Sequence, residues 1–302
     1  MTSEASRVIF IVGPTATGKT EAAYLLARRL KAEIISADSM LVYKEPRVIT
    51  AKPCSHILKE IPHHFIDILS VQQDYNVFDY FKAASGKIIE LYNRKTPVIV
   101  CGGTGLYVKT ILDGIFEGPG KDENLRRELE KRSSQDLYQE LKVIDPETTQ
   151  KISSNDLKRI IRALEVYYKT GSTISKKKKQ TKGLWGGIAI KIFGLRIKRS
   201  LLYQRINERV DKMFEKRVVE EIRELLKMNL SVTAEKIIGI KEIGLFLKGE
   251  LSEQAAKELM KKNTRNFAKR QLTWFRKDKR IEWMDVDSLR PGEVVEEILK
   301  KS

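Results

Sequence analysis

The sequence predicts an α/β fold, a parallel sheet flanked by helices, with a helical insertion and a helical C-terminal region. Three observations predict it. Short β-branched runs alternate with helix-patterned stretches from Arg7 to Gly105. A glycine-bearing octet, Gly13–Thr20, joins the first such run to a helix. A helix-patterned stretch from Gly118 to Gly187 is then followed by another apolar run, Ile188–Ile197, which returns the chain to the sheet.

The elements follow in order. Arg7 to Val12 is a short apolar strand, and the stretch Glu21 to Lys31 has helical spacing. Glu33 to Asp38 reads as the second strand and Pro97 to Cys101 as the third, which ends in Gly102-Gly103-Thr104-Gly105. The turn-rich segment Glu117-Gly118-Pro119-Gly120 marks a boundary. This divides the chain into residues 1–117 as the first part of the core, 118–187 as the insertion, and 188–302 as the return to the core with a basic helical end. Within the insertion, Leu157, Ile160, Ile161, Leu164 and Tyr168 fall on one helix face. Asn155 or Asp156 can cap that helix, and Gly171 can end it. The lysines Lys176–Lys179 and the glycines Gly183, Gly186 and Gly187 read as a mobile loop. Leu201 to Arg280 is mainly helical, and Ile281–Met284 reads as a last edge strand.

Composition narrows the class. A chain of 302 residues with 41% hydrophobic residues can bury one sizeable core and a smaller appended domain. No apolar run approaches the roughly 20 residues a membrane span needs. The N-terminus leads straight into Val8–Val12 without a small-residue cleavage site, so a soluble, cytoplasmic, monomeric protein without a membrane partner is expected. Cys54 and Cys101 lack metal or redox spacing and read as buried small hydrophobes. His63 and His64 read as structural residues at a strand start. The formal charge of +17 favours a polyanionic partner.

The octet Gly13, Pro14, Thr15, Ala16, Thr17, Gly18, Lys19 and Thr20 fits G-x-x-x-x-G-K-[ST], in the strand-to-helix context that a phosphate loop requires. Its backbone N–H groups and the helix N-terminus attract phosphate oxygens. Lys19 adds a full charge, and the Thr20 hydroxyl is the candidate ligand for Mg²⁺. The sheet is therefore expected to be of the P-loop NTPase-like type. A second strand ends in Asp38, where nucleotide hydrolases place an acidic magnesium ligand.

Several segments together resemble the tRNA dimethylallyltransferase family. They are the octet, Ser36-Ala37-Asp38-Ser39, Thr50-Ala51-Lys52-Pro53, His63–Asp67 and Gly102–Tyr107. Asn155-Asp156 through Arg162–Tyr167, Thr264-Arg265, and Ala268–Arg276 continue the series in family order. The resemblance implies transfer of a dimethylallyl group from dimethylallyl diphosphate to the exocyclic amine of the adenosine at tRNA position 37, with release of diphosphate. It implies Asp38 as general base. Thr104 and Arg209 would hold the diphosphate with the octet, and Mg²⁺ would bridge the diphosphate and Thr20. It assigns tRNA contact to Asp38, Ser39, Met40 and Leu41, to the helix Lys158, Arg159, Ile160, Ile161 and Arg162, and to the region of Ile237-Ile238-Gly239. Arg265 and Lys269 belong to the most basic stretch, Lys257–Arg280, whose ten basic residues face Glu258 and Asp278 for a net of +8. Lys261, Arg265, Lys269 and Arg276 share one helical face there, while Phe267 and Trp274 share another that is expected to pack on the core. Leu41 stands where the family usually has glutamine, Arg217 replaces a frequent glycine and Ile240 a frequent tyrosine, and Glu45–Ile49 lacks the usual glycines. The competing readings are an adenylate isopentenyltransferase on free AMP or ATP, a small-molecule P-loop kinase, and an RNA binder with an inert loop.

Overall fold

A computed structural model describes residues 8–302. Met1 to Arg7, the lead-in to the first strand, lie outside the described residues. The chain forms two compact units: the residues up to Leu112 together with Leu184–Ser302, and the insertion Asp113–Gly183. The insertion thus begins and ends a few residues earlier than the turn signals at Gly118 and Gly187 suggest.

The larger unit is built on six parallel strands: β1 (Val8–Val12), β2 (Glu33–Ser36), β3 (His63–His64), β4 (Val98–Gly102), β5 (Ile190–Arg196) and β6 (Glu282–Asp285). Their spatial order is β3-β2-β4-β1-β5-β6. β1 lies at the centre, with Val8 opposite Val98 on one side and Ile190 on the other. A central parallel strand is covered on both faces and must be apolar throughout, which is why VIFIV and VIVCG do not alternate. Ile9 and Ile11 pack with the helix Lys19–Leu30 on one face. Val8, Phe10 and Val12 pack with Tyr80, Ile88 and Tyr107 on the other. β6 forms the far edge, so the last apolar run does close the sheet. A third cluster, including Val42, Tyr43, Val71, Met213, Val218 and Ile243, joins the loop after β2 to the C-terminal helices.

That loop is pinned without glycines. Glu221 accepts the N–H groups of Arg47, Val48 and Ile49 at 2.8, 2.8 and 2.9 Å. The buried ammonium of Lys52 donates to Asp67 and to the carbonyls of Tyr43 and Lys44. A carboxylate nest and a buried lysine therefore fix the backbone where the family's glycines would let it turn.

The insertion is a small helical bundle with its own core of Leu137, Leu141, Ile160, Ala163, Leu164 and Val166. Its helix Leu157–Thr170 is capped by Asp156, whose carboxylate accepts the Arg159 N–H, and ends at Gly171 with φ 63°. Tyr168 lies in the last turn beside the Tyr167 ring and is exposed rather than packed with the apolar stripe. The lysine run is not a loop. Thr173 caps a short helix Ile174–Lys179, Ile174 is buried, and Lys179 pairs with Glu147 at 2.7 Å.

Glu165 lies wholly inside this bundle. Arg126 meets it with two bonds of 2.8 and 2.7 Å, Arg162 with one of 2.5 Å, and the Asp122 N–H with one of 2.9 Å. Burial pushes its carboxyl up, but these four donors outweigh it and hold it at about 2. Removing one partner of a buried charge cluster costs about 3–5 kcal/mol. Glu165→Gln is expected to destabilise the protein by that amount in urea unfolding. The wild-type contribution is full above the ordinary carboxyl value of 4.5 and is lost as pH falls from there toward 2.

Candidate active site

Parallel sheets place their ligands beyond the carboxyl ends of the strands. A cavity of about 620 Å³ lies there in the larger unit, beside the ends of β1, β2 and β4. The phosphate loop forms one wall. Gly13 has φ 139°, and a Cβ there would stand 2.4 Å from the Leu195 carbonyl oxygen, so only glycine lets the loop leave β1 in this direction. Gly18, at φ 86°, then starts the helix Lys19–Leu30. Thr17 Oγ1 donates to the Pro14 carbonyl at 3.0 Å, and Lys19 Nζ donates to the same carbonyl at 2.5 Å.

Two cations line this cavity. Lys19 is 9% exposed, and its ammonium is pushed down by burial to about 8. Arg209 projects from the helix Arg199–Glu215 into the cavity and donates to the Thr50 carbonyl at 3.3 Å. Burial lowers its pKa too, with Asp38 acting in the opposite sense. Among the described residues neither cation has an ion-pair partner. A positive charge taken out of water and left unpaired is costly, so a buried one and a half-buried one lining one cavity describe an anion site.

Asp38 follows β2 and lines the same cavity. Its Oδ1 accepts the Met40 N–H at 2.9 Å, which fixes the carboxylate and leaves the other oxygen for a ligand. Met40 and Leu41 line the cavity as apolar neighbours, together with Ile49 and Ile237. Thr104 lies just beyond Gly102 and Gly103, which form the cavity wall. Its Oγ1 accepts the Ser39 N–H at 3.0 Å and lies 3.3 Å from Ser39 Oγ. Thr104 therefore holds the Asp38 turn, and its O–H must rotate away from Ser39 to reach a diphosphate.

Thr20 also lines the cavity, with its side chain exposed at the helix start. Among the described residues no group of three His, Cys, Asp or Glu forms a metal cage. A Thr20 hydroxyl beside a diphosphate does fit Mg²⁺, which keeps several waters and is held mainly by substrate phosphates.

Other sequence expectations need correction. Ile160 and Ile161 are buried in the insertion core and offer no side chain to RNA. Lys158 and Arg159 are exposed, whereas Arg162 is half-buried and held by Glu165 and the Pro119 carbonyl. On the basic helix Glu253–Phe275, Lys261 is neutralised by Asp211 and Glu258, and Arg265 donates to Asn207 at 2.6 Å. Lys269 is exposed. Phe267 lines the cavity and Trp274 is exposed, so neither belongs to the core, because the cavity opens on that side of the helix. Cys54 is exposed as the residue before a short helix, and Cys101 is half-buried in the cavity wall. His63 also lines the cavity. Sequence reasoning gave no role to Gln271, although an uncharged polar residue spaced three and four from the buried Ala268 and Phe275 is a signal of one.

The family model described as IPP transferase matches residues 41–278. The tRNA dimethylallyltransferase of Carboxydothermus hydrogenoformans is 44% identical over 98% of this chain and 97% of its own. That of Pelotomaculum thermopropionicum is 42% identical over 95% and 93%. Among solved structures, the tRNA isopentenylpyrophosphate transferase of Bacillus halodurans superposes with a TM-score of 0.72 at 35% identity, covering 98% of this chain and 95% of that one. A eukaryotic dimethylallyltransferase acting on tRNA gives 0.79 at 28% identity, covering 94% and 75%. The matched stretch and the near-complete overlap with these relatives place the chain in the IPP transferase family, that of the tRNA dimethylallyltransferases.

Proposed function

We propose that the chain moves a dimethylallyl group from dimethylallyl diphosphate to the exocyclic amine of the adenosine at tRNA position 37. The observation that carries this reading is one cavity in which a buried cation, Lys19, and a half-buried one, Arg209, share the walls with a fixed carboxylate, Asp38. The cations and the phosphate-loop N–H groups bind the diphosphate and stabilise the charge it gains as it leaves. The bond from the prenyl C1 to the bridging oxygen breaks, and a bond from C1 to the adenine nitrogen forms. The amine's surplus proton passes to the free oxygen of Asp38. Thr20 would hold Mg²⁺, which when bound offsets diphosphate charge. The apolar side chains of Ile49 and Ile237 suit the prenyl tail. The target base must leave its stack to enter such a cavity.

The basic helix supports an RNA acceptor over a free nucleotide or a phosphoryl acceptor. Lys269 is exposed there, and Lys158 and Arg159 are exposed in the insertion. Lys269→Ala is expected to weaken tRNA binding equally for all sequences and to reduce the salt dependence of log K by about one unit. Filter binding across a salt series measures it.

Labelled dimethylallyl diphosphate with Mg²⁺ and, in parallel, unmodified tRNA, AMP or ATP tests the acceptor. Label is expected in tRNA alone. Label in AMP or ATP instead would move the chain to free-nucleotide chemistry, and transfer of γ-phosphate would make it a kinase. Among the described residues no helix is long and apolar enough to cross a membrane.

A further inference from the structure

Gln271 is 6% exposed and lies on the inner side of the helix Glu253–Phe275. Its Oε1 accepts the Thr15 N–H at 2.9 Å, and its Nε2 donates to the Gly103 carbonyl at 2.9 Å. The first is the backbone of the phosphate loop. The second is the backbone one residue before Thr104. Thr104 in turn holds the Ser39 N–H, beside Asp38. The contact is tight: a Cβ on Gly103 would stand 2.2 Å from the Gln271 amide nitrogen and 3.4 Å from the Gly13 carbonyl oxygen.

We propose that Gln271 is a positioning residue for the transfer, setting the spacing between the loop that holds the leaving diphosphate and the Thr104–Asp38 segment that faces the nucleophile. The inference rests on the proposed transferase reading. The chemistry of the side chain suits the task. One loop presents an N–H and the other a carbonyl, so the link needs an acceptor and a donor on one rigid neutral group. A carboxylate accepts but cannot donate, and a hydrocarbon does neither. Transfer needs the breaking C1–O bond and the attacking nitrogen roughly in line, and a displacement of about 1 Å costs on the order of 10²-fold in rate. Thr15 gives its N–H to Gln271 rather than to an anion, so this bond shapes the loop instead of binding the diphosphate.

The test is single-turnover transfer of labelled dimethylallyl to tRNA at saturating enzyme, diphosphate substrate and Mg²⁺, for wild type, Gln271→Leu and Gln271→Glu. At saturating enzyme the rate constant does not depend on what fraction of a variant is folded. Gln271→Leu is expected to lower it on the order of 10²-fold, with the affinity for tRNA unchanged. Gln271→Glu keeps the acceptor for Thr15 but sets a carboxylate against the Gly103 carbonyl. Protonation restores the donor, so its rate relative to wild type should rise toward acid. A wild-type rate constant in Gln271→Leu, whatever the loss in melting temperature, would overturn the proposal and leave a purely structural glutamine. A flat Gln271→Glu ratio across pH would overturn it as well. Transfer by wild type in the same run separates this failure from failure of the transferase reading; if wild type transfers nothing, both fall.

Discussion

Asp38→Asn is expected to lower kcat for prenyl transfer by about 10²–10⁴-fold, the range that a positioned proton acceptor contributes. The substitution is nearly isosteric. The asparagine oxygen can keep the bond to the Met40 N–H that fixes the turn. The other position then carries an NH₂ group, which cannot take a proton from the adenine amine. The exocyclic amine is a weak nucleophile because its lone pair is delocalised into the ring, so losing the acceptor falls on the transition state rather than on binding. KM for dimethylallyl diphosphate should change little, because Lys19 and Arg209 remain in the walls. Steady-state kinetics with unmodified tRNA make the measurement. An unchanged kcat would remove Asp38 from the mechanism and reduce it to a turn residue.

Lys19→Met is expected to lower kcat/KM by about 10²–10³-fold, as for other preorganised donors to a developing negative charge. It is also expected to stabilise the free protein, an opposite sign that separates function from folding. Burial pushes the Lys19 ammonium down from 10.5 to about 8. A shift of that size corresponds to about 3 kcal/mol against the charged form. A group whose pKa is lowered on folding costs stability below its folded value, and the cost fades as pH rises from about 8 to 10.5. Denaturation should therefore show Lys19→Met more stable than wild type near neutrality, with the gap closing in alkali. Diphosphate binding restores the charged form. Titration calorimetry at pH 9 in two buffers of different ionisation enthalpy should show proton uptake on binding by wild type and none by Lys19→Met.

Much of this was readable in one dimension because the controlling physics is local. The β-branched runs, the glycines that permit the loop's backbone angles, and the Asp156 and Gly171 caps each depend on neighbours in sequence. The insertion was visible as a break in strand–helix alternation, although its ends were displaced because turn residues mark a bend, not a change of packing partner. Lys176–Lys179 reads as a loop in sequence because adjacent like charges disfavour a helix, whereas the Thr173 cap and the pairing of Lys179 with the distant Glu147 form only in the folded bundle.

By itself the sequence determined the sheet, the phosphate loop and the resemblance that named Asp38, Lys19, Thr20 and Arg209. Only the tertiary structure decided that a buried Lys19 and a half-buried Arg209 line one cavity, that Thr104 braces Ser39, and that Gln271 joins Thr15 to Gly103. It also decided that Ile160 and Ile161 are core and Lys261 is neutralised, so that the charge free to meet RNA is less than the basic run implies. The physical reason is that backbone preference is set by a residue and its neighbours, whereas desolvation and charge pairing depend on what distant segments bring within a few ångströms.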